Sequence, residues 1–450
     1  MIRAGTSLGL LLVLAGAARA GNEDTYLFGD HANLMAGAIA ATANGTGAVW
    51  YNPAGLGLGA RSKLELSGSA FMLQIRRIPD MLQVHYNGGD EKQAIQSSRI
   101  YIVPSSLVWV RTLGTLTVGV GVFVTQQDLY RFDGTVKRGP NTPPLDLDMA
   151  GQLSGTSLRY HLGGSFGHRL GPRVRLGGGV FAVYEKVNEF RKLFGDATVS
   201  DGPYKTTFLQ RLVDAESSRI SLEIVLGLQW ELGRHWVLGA VARSPRVTFW
   251  ESAGTDNSTA IVSRGDAVPT VTVTNVTHDP IGRFGTGPTM PPRFTLGLAR
   301  QSGRTEVSFE VDARPPIFND RLAARWAVNG RVGAMFAVNE HNHLGFGLFT
   351  DRSGQPAPKA FPDYRVDYYG VTAGWRRQSI VKLHDSEHAR TLVFATTAAL
   401  RYALGVGEST TIRFDYSHAA ADGLVGRVDD GRVDVLFHEI SFYLGSSLEF

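Results

Sequence analysis

The stretch Arg219–Leu232, RISLEIVLGLQWEL, alternates strictly between two kinds of side chain. Its even positions are all apolar: Ile220, Leu222, Ile224, Leu226, Leu228, Trp230 and Leu232. Its odd positions are mostly polar: Arg219, Ser221, Glu223, Val225, Gly227, Gln229 and Glu231. Because successive side chains of a β-strand point to opposite faces, this pattern predicts a strand with one wholly apolar face.

The same alternation recurs from about residue 63 to the end, for example in 115–125 and 305–312. A soluble β-sandwich would alternate in the same way, but two features favour a membrane barrel. Many runs are much longer than the five or six residues of an ordinary strand, and a membrane strand needs about 9–11. Short links alternate with long ones, as periplasmic turns alternate with external loops in outer-membrane barrels. The short links are 112–114, 170–172, 232–234, 302–304 and 339–342, and the long ones 78–98, 127–155, 188–216 and 251–291.

The predicted fold is therefore all-β, a transmembrane antiparallel up-and-down barrel. Fifteen segments fit: 63–77, 99–112, 114–127, 154–170, 172–187, 217–232, 234–250, 292–302, 304–314, 325–339, 342–351, 364–377, 391–404, 409–418 and 434–450. A barrel whose two ends both lie in the periplasm needs an even number of strands. We therefore expect fourteen, with sixteen as the alternative and the ambiguity between residues 342 and 418.

The first 20 residues have the composition of an export signal. Arg3 precedes an apolar run from Leu8 to Ala15, and Ala18-Arg19-Ala20 supplies a small-x-small cleavage site. The domain prediction is a signal peptide over 1–20, an N-terminal hatch over 21–62 and a barrel over 63–450. The expected location is the bacterial outer membrane.

The composition excludes several classes of function. The chain has no cysteine, which excludes a disulfide scaffold and a thiolate metal site. Its net charge is +4, and two of those charges, Arg3 and Arg19, leave with the signal, so nothing indicates nucleic-acid binding. The 53 glycines and 10% aromatic residues suit a barrel with aromatic girdles.

Residues 21–62 do not alternate and are rich in Gly and Ala. Leu34, Ala38 and Ala41 fit one side of a short helix that ends at Asn44–Gly47, and Asn52-Pro53 predicts a turn. Such a segment is too small to fold alone, so we expect it to pack inside the barrel.

The run Gly37-Ala38 and the motif Ala48-Val49-Trp50-Tyr51-Asn52-Pro53-Ala54-Gly55-Leu56 resemble the N-terminal hatch of the FadL-type outer-membrane transporters. That family carries long-chain fatty acids and, in some members, aromatic hydrocarbons. The order of signal, hatch, motif and barrel extends the resemblance to the whole chain. Two features depart from it: the link 42–47 has no acidic residue, and Trp50 replaces a valine or similar small residue.

The resemblance implies a monomeric 14-stranded barrel whose lumen is plugged by the hatch. Ligand would be caught in an external apolar groove, pass to an inner pocket and leave sideways through a gap in the wall when the hatch shifts. In the hatch motif Asn52, Pro53, Ala54 and Gly55, Asn52 would bond the hatch backbone and Pro53 would end the segment. The motif also fits a simple turn into the first strand.

Apolar residues in the long loop 188–216 are candidates for that capture groove: Phe190, Leu193, Phe194, Phe208 and Leu212. Thr207–Glu216 has some helical spacing. These residues also fit local packing of the loop on itself. Charged residues on the polar strand faces, such as Glu223, Glu310 and Asp312, are expected to face the lumen and pair with one another rather than with a ligand carboxylate.

The last strand ends in an apolar face that includes Ile440, Phe442, Leu444, Leu448 and the terminal Phe450. This resembles the C-terminal signal that the barrel assembly machinery reads. The expected partners are thus that machinery, outer-membrane lipid and a hydrophobic small-molecule ligand.

The predicted function is passive uptake of long-chain fatty acids or aromatic hydrocarbons. The alternative is a secretion or surface-attachment role on the same scaffold. His341-Asn342-His343 has no third ligand nearby in sequence, so no metal is expected. With no nucleophile motif near any histidine and no nucleotide motif, neither an enzyme nor a cofactor is expected.

Overall fold

The computed structural model describes residues 26–59, 62–86, 89–138, 145–199, 204–265, 270–319, 322–359, 363–384, 389–415 and 427–450. The predicted export signal, residues 1–20, lies outside these ranges. Within them, no helix is long and apolar enough to cross a membrane.

Short helices come first, and strands make up nearly everything that follows. The helices are α1 Asp30–Leu34, α2 Gly45–Tyr51 and a 3₁₀ helix, Pro53–Leu58. The strands are β1 Lys63–Tyr86, β2 Gly89–Leu113, β3 Leu116–Arg138, β4 Leu145–Arg169, β5 Val174–Val199, β6 Tyr204–Glu231, β7 Trp236–Arg243, β8 Arg246–Gly265, β9 Thr270–Met290, β10 Arg293–Ser302, β11 Thr305–Arg314, β12 Ile317–Asn319, β13 Leu322–Ala324, β14 Ala327–Ala337, β15 Asn342–Asp351, β16 Tyr364–His384, β17 Ala389–Asp415 and β18 Arg427–Glu449.

Sixteen strands form one sheet, which closes because β18 pairs with β1 and β5 pairs with β6. The sheet is antiparallel except for a short parallel contact between β1 and β17. Breaks at two proline sites account for the difference from the predicted fourteen strands. Pro245 separates β7 from β8, and Pro291-Pro292 separates β9 from β10, since proline interrupts a ladder. Each of these two pairs follows one course along the wall, so the sixteen strands occupy fourteen positions around the barrel.

The predicted strand 409–418, the fourteenth of the fifteen candidates, is wrong as an independent element over its described part, 409–415. Residues 409–415 continue β17 without a turn and pair with 433–427 of β18. The predicted break between 404 and 409 contains Gly405 and Gly407 and is followed by Ser409. In the structure all three small residues lie inside one long strand.

The barrel is polar inside and apolar outside. In β11, Glu306, Ser308, Glu310 and Asp312 are buried, while Phe309 and Val311 are 52% and 54% exposed. A water-soluble sheet buries its apolar face, so this inversion is what a wall surrounded by lipid requires.

Exposed aromatic side chains lie at two heights on the outer surface. Trp230 and Trp236 flank one of the short turns, and Tyr184 lies beside Ile220 higher up the wall. The ten residues from Ile220 to Trp230, at about 3.3 Å each and a tilt near 40°, give a belt roughly 25 Å tall. That height matches the apolar band of an outer-membrane barrel.

The predicted long loops are wrong for most of their length. Strands continue through much of 78–98, 127–155, 188–216 and 251–291, and Thr207–Glu216 is part of β6 rather than a helix. Above the lipid belt both faces of a strand can be polar, so these extensions lack the alternation that reveals the lower wall. The predicted short links do coincide with turns of the structure, for example 114–115 and 303–304.

The N-terminal segment, residues 26–59, lies inside the barrel. α1 contacts β14 to β18, whereas the 3₁₀ helix contacts β3 to β6 on the opposite side of the barrel interior. Strand glycines make room for it, since a Cβ on Gly177 would lie 2.3 Å from the carbonyl carbon of Pro53. Glycine at position 177 thus allows the close approach of the two backbones.

The helices of this segment are not where the sequence placed them. Leu34 ends α1, and Ala38 and Ala41 lie beyond it. Residues 45–47 begin α2 rather than end a helix. Pro53 starts the 3₁₀ helix rather than ending the segment, as suits a residue with fixed φ and no N–H at the first helical position.

The last strand completes the wall. β18 pairs with β17 over its whole length, 427–449, and with β1 over 436–449. Phe442, Leu444 and Phe450 point outward and are exposed, and Leu448 is half-buried on the same alternation.

Candidate functional site

The barrel wall is interrupted between β2 and β3. Gln96 pairs with Asp133, and the next pair down is Ser106 with Phe123, so 97–105 and 124–132 form no ladder with each other. Pro104 lies in this stretch and has no backbone N–H to donate. The register also shifts on either side of the gap, between β1 and β2 near Ser69 and between β3 and β4 at Thr125. Such irregularities bend a strand locally.

Side chains bridge the gap in place of backbone hydrogen bonds. The hydroxyls of Tyr101 and Tyr26 both donate to the carbonyl oxygen of Gln127, at 3.0 and 2.8 Å. The sulfur of Met72 lies 3.1 Å from the Tyr101 hydroxyl. Tyr101 belongs to β2 and Tyr26 to the N-terminal segment, so this segment and the wall meet at one carbonyl of β3.

An aromatic cluster lies between the N-terminal segment and β3 to β5. Its centre is the Trp50 ring, with centroid distances of 5.2 Å to Phe28, 5.0 Å to Phe123, 5.5 Å to Phe181 and 4.9 Å to His161. The Arg243 guanidinium lies 4.2 Å from the Trp50 ring centroid. The large residue at position 50, a departure from the family motif, thus fixes α2 to the wall below the gap.

A cavity of about 480 Å³ borders the gap. Its lining includes Ile100, Leu129 and Phe190 as apolar residues and Arg99, Arg131 and Asp214 as charged ones. We call it the outer groove. Cross-strand pairing puts Arg131, Ser154, Phe190 and Asp214 on one face of the sheet.

That face is the outside of the barrel. Phe190 follows Val180 and Tyr184 at even positions of β5, and those two side chains are 48% and 40% exposed. The volume of the outer groove is within the range of small-molecule pockets. Its apolar lining can bury the apolar part of a ligand, and its charged lining can make ionic contacts with a polar end of the same ligand.

The five residues predicted to form a capture groove lie on strands instead of an external loop. Phe190, Leu193 and Phe194 belong to β5, and Phe208 and Leu212 belong to β6. Phe190 lines the outer groove, whereas Phe194 packs under the ammonium of Lys192 at 4.4 Å. Leu212 pairs with Lys192, Leu193 with Arg211 and Phe208 with Asp196. Pairing thus puts Phe190, Phe194 and Leu212 on one face of the sheet, and Phe190 is the one of these three that lines the outer groove.

The motif 52–55 is buried inside the barrel, against the wall at β5 and β6. The Asn52 amide donates to the Ala40 carbonyl at 2.7 Å and to the Leu228 carbonyl of the wall at 3.0 Å. Its Oδ1 accepts the N–H of Ala54 at 3.1 Å and so caps the 3₁₀ helix. Pro53 and Ala54 are buried. A Cβ on Gly55 would lie 1.9 Å from the Ala43 carbonyl oxygen, so only glycine fits there.

Carboxylates of the wall hold other parts of the N-terminal segment. Glu65 accepts the Asp30 N–H at 3.1 Å and the Thr46 hydroxyl. Glu310 accepts the Ala40 N–H at 2.8 Å, and Glu306 lies 2.8 Å from the His31 ring.

Asp30 is itself buried in this segment, at 3% exposure. Burial raises the pKa of the Asp30 carboxyl to about 6, and the carboxylate of Glu65 adds to the shift while Lys63 and Arg376 oppose it.

Charged residues of the inner strand faces pair mostly with each other. Glu223 lies 2.6 Å from Arg243, Arg175 lies 3.1 Å from Glu231, and Asp312 pairs with Arg293. These contacts agree with the interpretation that the charges fill the interior.

Sequence reasoning missed the gap and the residues around it, including Tyr26, Met72, Tyr101 and Gln127. One signal was available, because Pro104 falls in the middle of the predicted strand 99–112. A proline there indicates a place where the ladder is interrupted.

No protein-family model matches the chain, and no curated protein matches it. Solved structures do match over nearly its full length. A Pseudomonas aeruginosa FadL homologue, 11% identical, has a TM-score of 0.59 and covers 95% of this chain and 100% of its own. The Pseudomonas putida toluene transporter TodX, 16% identical, has a TM-score of 0.52, with 94% and 98% covered. The Ralstonia pickettii toluene transporter TbuX, 13% identical, also has a TM-score of 0.52, with 94% and 98% covered. The protein therefore has the FadL-type fold.

Proposed function

We propose that this protein is a passive channel of the bacterial outer membrane for hydrophobic small molecules, either long-chain fatty acids or aromatic hydrocarbons. The observation that carries the proposal is the outer groove beside a gap in the barrel wall. A water-filled pore would suit polar solutes, whereas a partly apolar groove on the outer face of the wall suits capture of lipophiles.

The groove supplies binding energy of the kind that lipophiles require. Burial of apolar ligand surface against Ile100, Leu129 and Phe190 contributes about 25 cal/mol for each Å² removed from water. The gap between 97–105 and 124–132 then offers a sideways route between the groove and the barrel interior. Such diffusion runs down a concentration gradient and needs no energy source.

In this proposal the N-terminal segment acts as a hatch. The chain is divided into a signal peptide, 1–20, a hatch, 21–62, and a barrel, 63–450. Asn52, Pro53, Ala54 and Gly55 fix the hatch in the lumen, and the Asn52 bonds to Ala40 and Leu228 support that role.

Biogenesis and surroundings complete the proposal. The outward apolar residues Phe442, Leu444 and Leu448 and the terminal Phe450 serve as the signal for the barrel assembly machinery. The aromatic rings around the apolar belt contact outer-membrane lipid, and the protein acts as a monomer.

The test is uptake of radiolabelled oleate and toluene by cells that lack the protein and carry variants on a plasmid. Phe190→Ala is expected to lower uptake of both probes about tenfold at limiting concentration, because a ring that lines the groove is lost. Phe194→Ala is the matched control, since it removes the same ring from the same face of β5 outside the groove.

Equal uptake by both variants and the deletion strain would overturn the proposal. If a protein partner copurified with the chain in that case, the secretion or surface-attachment role would take its place.

A further inference from the structure

The tip of the β1–β2 hairpin crosses the mouth of the barrel. β1 pairs with β18 as far as Arg77 and Leu436, then leaves the wall. Beyond that point Leu82, Gln83, Val84 and His85 pair in parallel with 412–415 of β17. Since β18 lies between β1 and β17 in the wall, the hairpin must pass across β18 to reach this position.

The free edge of β17 makes this contact available. β16 begins at Tyr364, which pairs with Ser409, so residues 410–415 extend above the last β16 pair. β18 occupies the opposite edge of β17 over 412–415. The hairpin therefore takes the place that a longer β16 would have filled.

The crossing runs over the lumen rather than over the outside. Ile78, Met81, Leu82, Val84 and Ile95 of the hairpin are all buried. Ile78, Met81 and Ile95 share one apolar cluster with Phe437, Phe349 and Tyr368 on inner faces of the wall and with Ala36 of the N-terminal segment. By contrast, Asp90, Glu91 and Lys92 at the tip are exposed.

The base of the hairpin has the features of a hinge. The β1–β2 register shifts between Ile78 and Leu82. Within that interval Pro79 lacks an N–H, and Asp80 has a φ of +51°, which is uncommon for a residue with a side chain. Beyond this hinge, and among the described residues, the four backbone pairs of 82–85 with 412–415 join the hairpin to β17.

We propose that residues 79–86 and 89–95 form a lid that must leave β17 before a ligand reaches the cluster above the N-terminal segment. Met81 and Ile95 occupy apolar space that a lipophile fills when the lid opens, so burial of the ligand compensates for the apolar surface that opening exposes. This inference rests on the proposed function and adds an obligatory opening step to it.

A disulfide between the lid and β17 tests the proposal, in the full-length chain. The chain has no cysteine, so Gln83→Cys with Arg413→Cys introduces one pair of thiols at directly paired positions. The matched control is Thr112→Cys with Thr117→Cys, whose native hydroxyls lie 3.0 Å apart at the other end of the barrel. Dibromobimane bridges the thiols where oxidation leaves them free.

We expect oxidised Gln83→Cys/Arg413→Cys to take up radiolabelled oleate and toluene at least about tenfold more slowly than the same protein after reduction. The oxidised control should match its reduced form. Equal uptake by the bridged and reduced lid variant, with the bridge verified by mass spectrometry, would overturn the lid. Absence of uptake in the wild type and in every reduced variant would instead overturn the proposed function.

A second variant tests the lid without a cross-link. Met81→Ser weakens the apolar underside and is expected to raise the uptake rate about threefold, because the open state becomes more populated. An unchanged or lower rate, with normal amounts of folded protein, would contradict the lid.

Discussion

The side-chain amide of Asn52 donates to the main-chain carbonyl of Leu228 at 3.0 Å, and this bond joins the N-terminal segment to the barrel wall. The same amide donates to Ala40 at 2.7 Å, so one buried side chain fixes two parts of the segment and one strand. A backbone contact with the wall would not depend on residue type, whereas this one requires an amide.

Asn52→Ala should therefore lower the free energy of unfolding by about 2–4 kcal/mol, because it removes two buried hydrogen bonds to carbonyls and the cap of the 3₁₀ helix. The measurement is the urea midpoint of the refolded protein in detergent. Asn44→Ala is the control, since Asn44 is exposed and makes only a local 3.4 Å bond to Thr42. Equal midpoints for the two variants would show that the Asn52 bonds do not stabilise the fold.

Gly177→Ala should displace the 3₁₀ helix from the wall. The added Cβ would meet the Pro53 carbonyl carbon at 2.3 Å, and backbone there can move only with the whole segment. We expect faster proteolysis within 45–58 and a loss of about 1–3 kcal/mol in stability. Gly330→Ala is the control, because a Cβ there meets no atom within 4 Å.

The Asp30 carboxyl predicts a pH dependence. Its folded pKa of about 6 is higher than the unfolded value of about 3.9. The charged form is thus disfavoured in the folded state, so this penalty is absent below about pH 4 and complete above about pH 6.

Asp30→Asn should remove that penalty. Its melting temperature relative to the wild type should be higher at about pH 8 than at about pH 4. A difference that does not change between the two pH values would mean that Asp30 ionises normally in the folded protein.

The two tyrosines at Gln127 predict a change in wall dynamics. Tyr26→Phe combined with Tyr101→Phe removes both hydroxyl donors and should raise amide hydrogen exchange of 97–105 and 124–132 about tenfold. Each single change should have a smaller effect, because the other hydroxyl still satisfies the carbonyl. Tyr184→Phe, on the exposed outer surface, should leave the exchange of both stretches as in the wild type.

The lower barrel was predictable because its side chains have a simple physical requirement. Each residue from Arg219 to Leu232 faces either lipid or lumen, and the alternation in sequence follows directly from that. The interior position of the N-terminal segment was also predictable, since a short Gly/Ala-rich stretch needs a surface to pack on.

The gap and the lid depend on strand register, which one strand's sequence does not determine. The shift at Thr125 is measured against β4, and the pairing of Leu82 with Ile412 joins residues from opposite ends of the chain. Phe190 illustrates the same limit. Its apolar character indicated a role in a groove, but its place in one groove with Ile100 of β2 follows from how the wall opens.

The helices of the N-terminal segment were misplaced for a more local reason. Asn44 and Asn52 both precede helices, where a polar residue at the N-terminal boundary suits the first turn. In a sequence dominated by Gly and Ala, the same residues equally fit a helix end.

The N-terminal segment is anchored at once to early and late strands, through the 3₁₀ helix on β3 to β6 and through α1 on β14 to β18. Its contacts are therefore complete only after the last strands to be synthesised, β14 to β18, have joined the wall. Docking of the segment is thus tied to the end of barrel assembly. The N-terminal segment is synthesised first but docks fully only when the last strands are in place. A variant that weakens its docking should therefore delay maturation and expose the unfinished chain to periplasmic proteases.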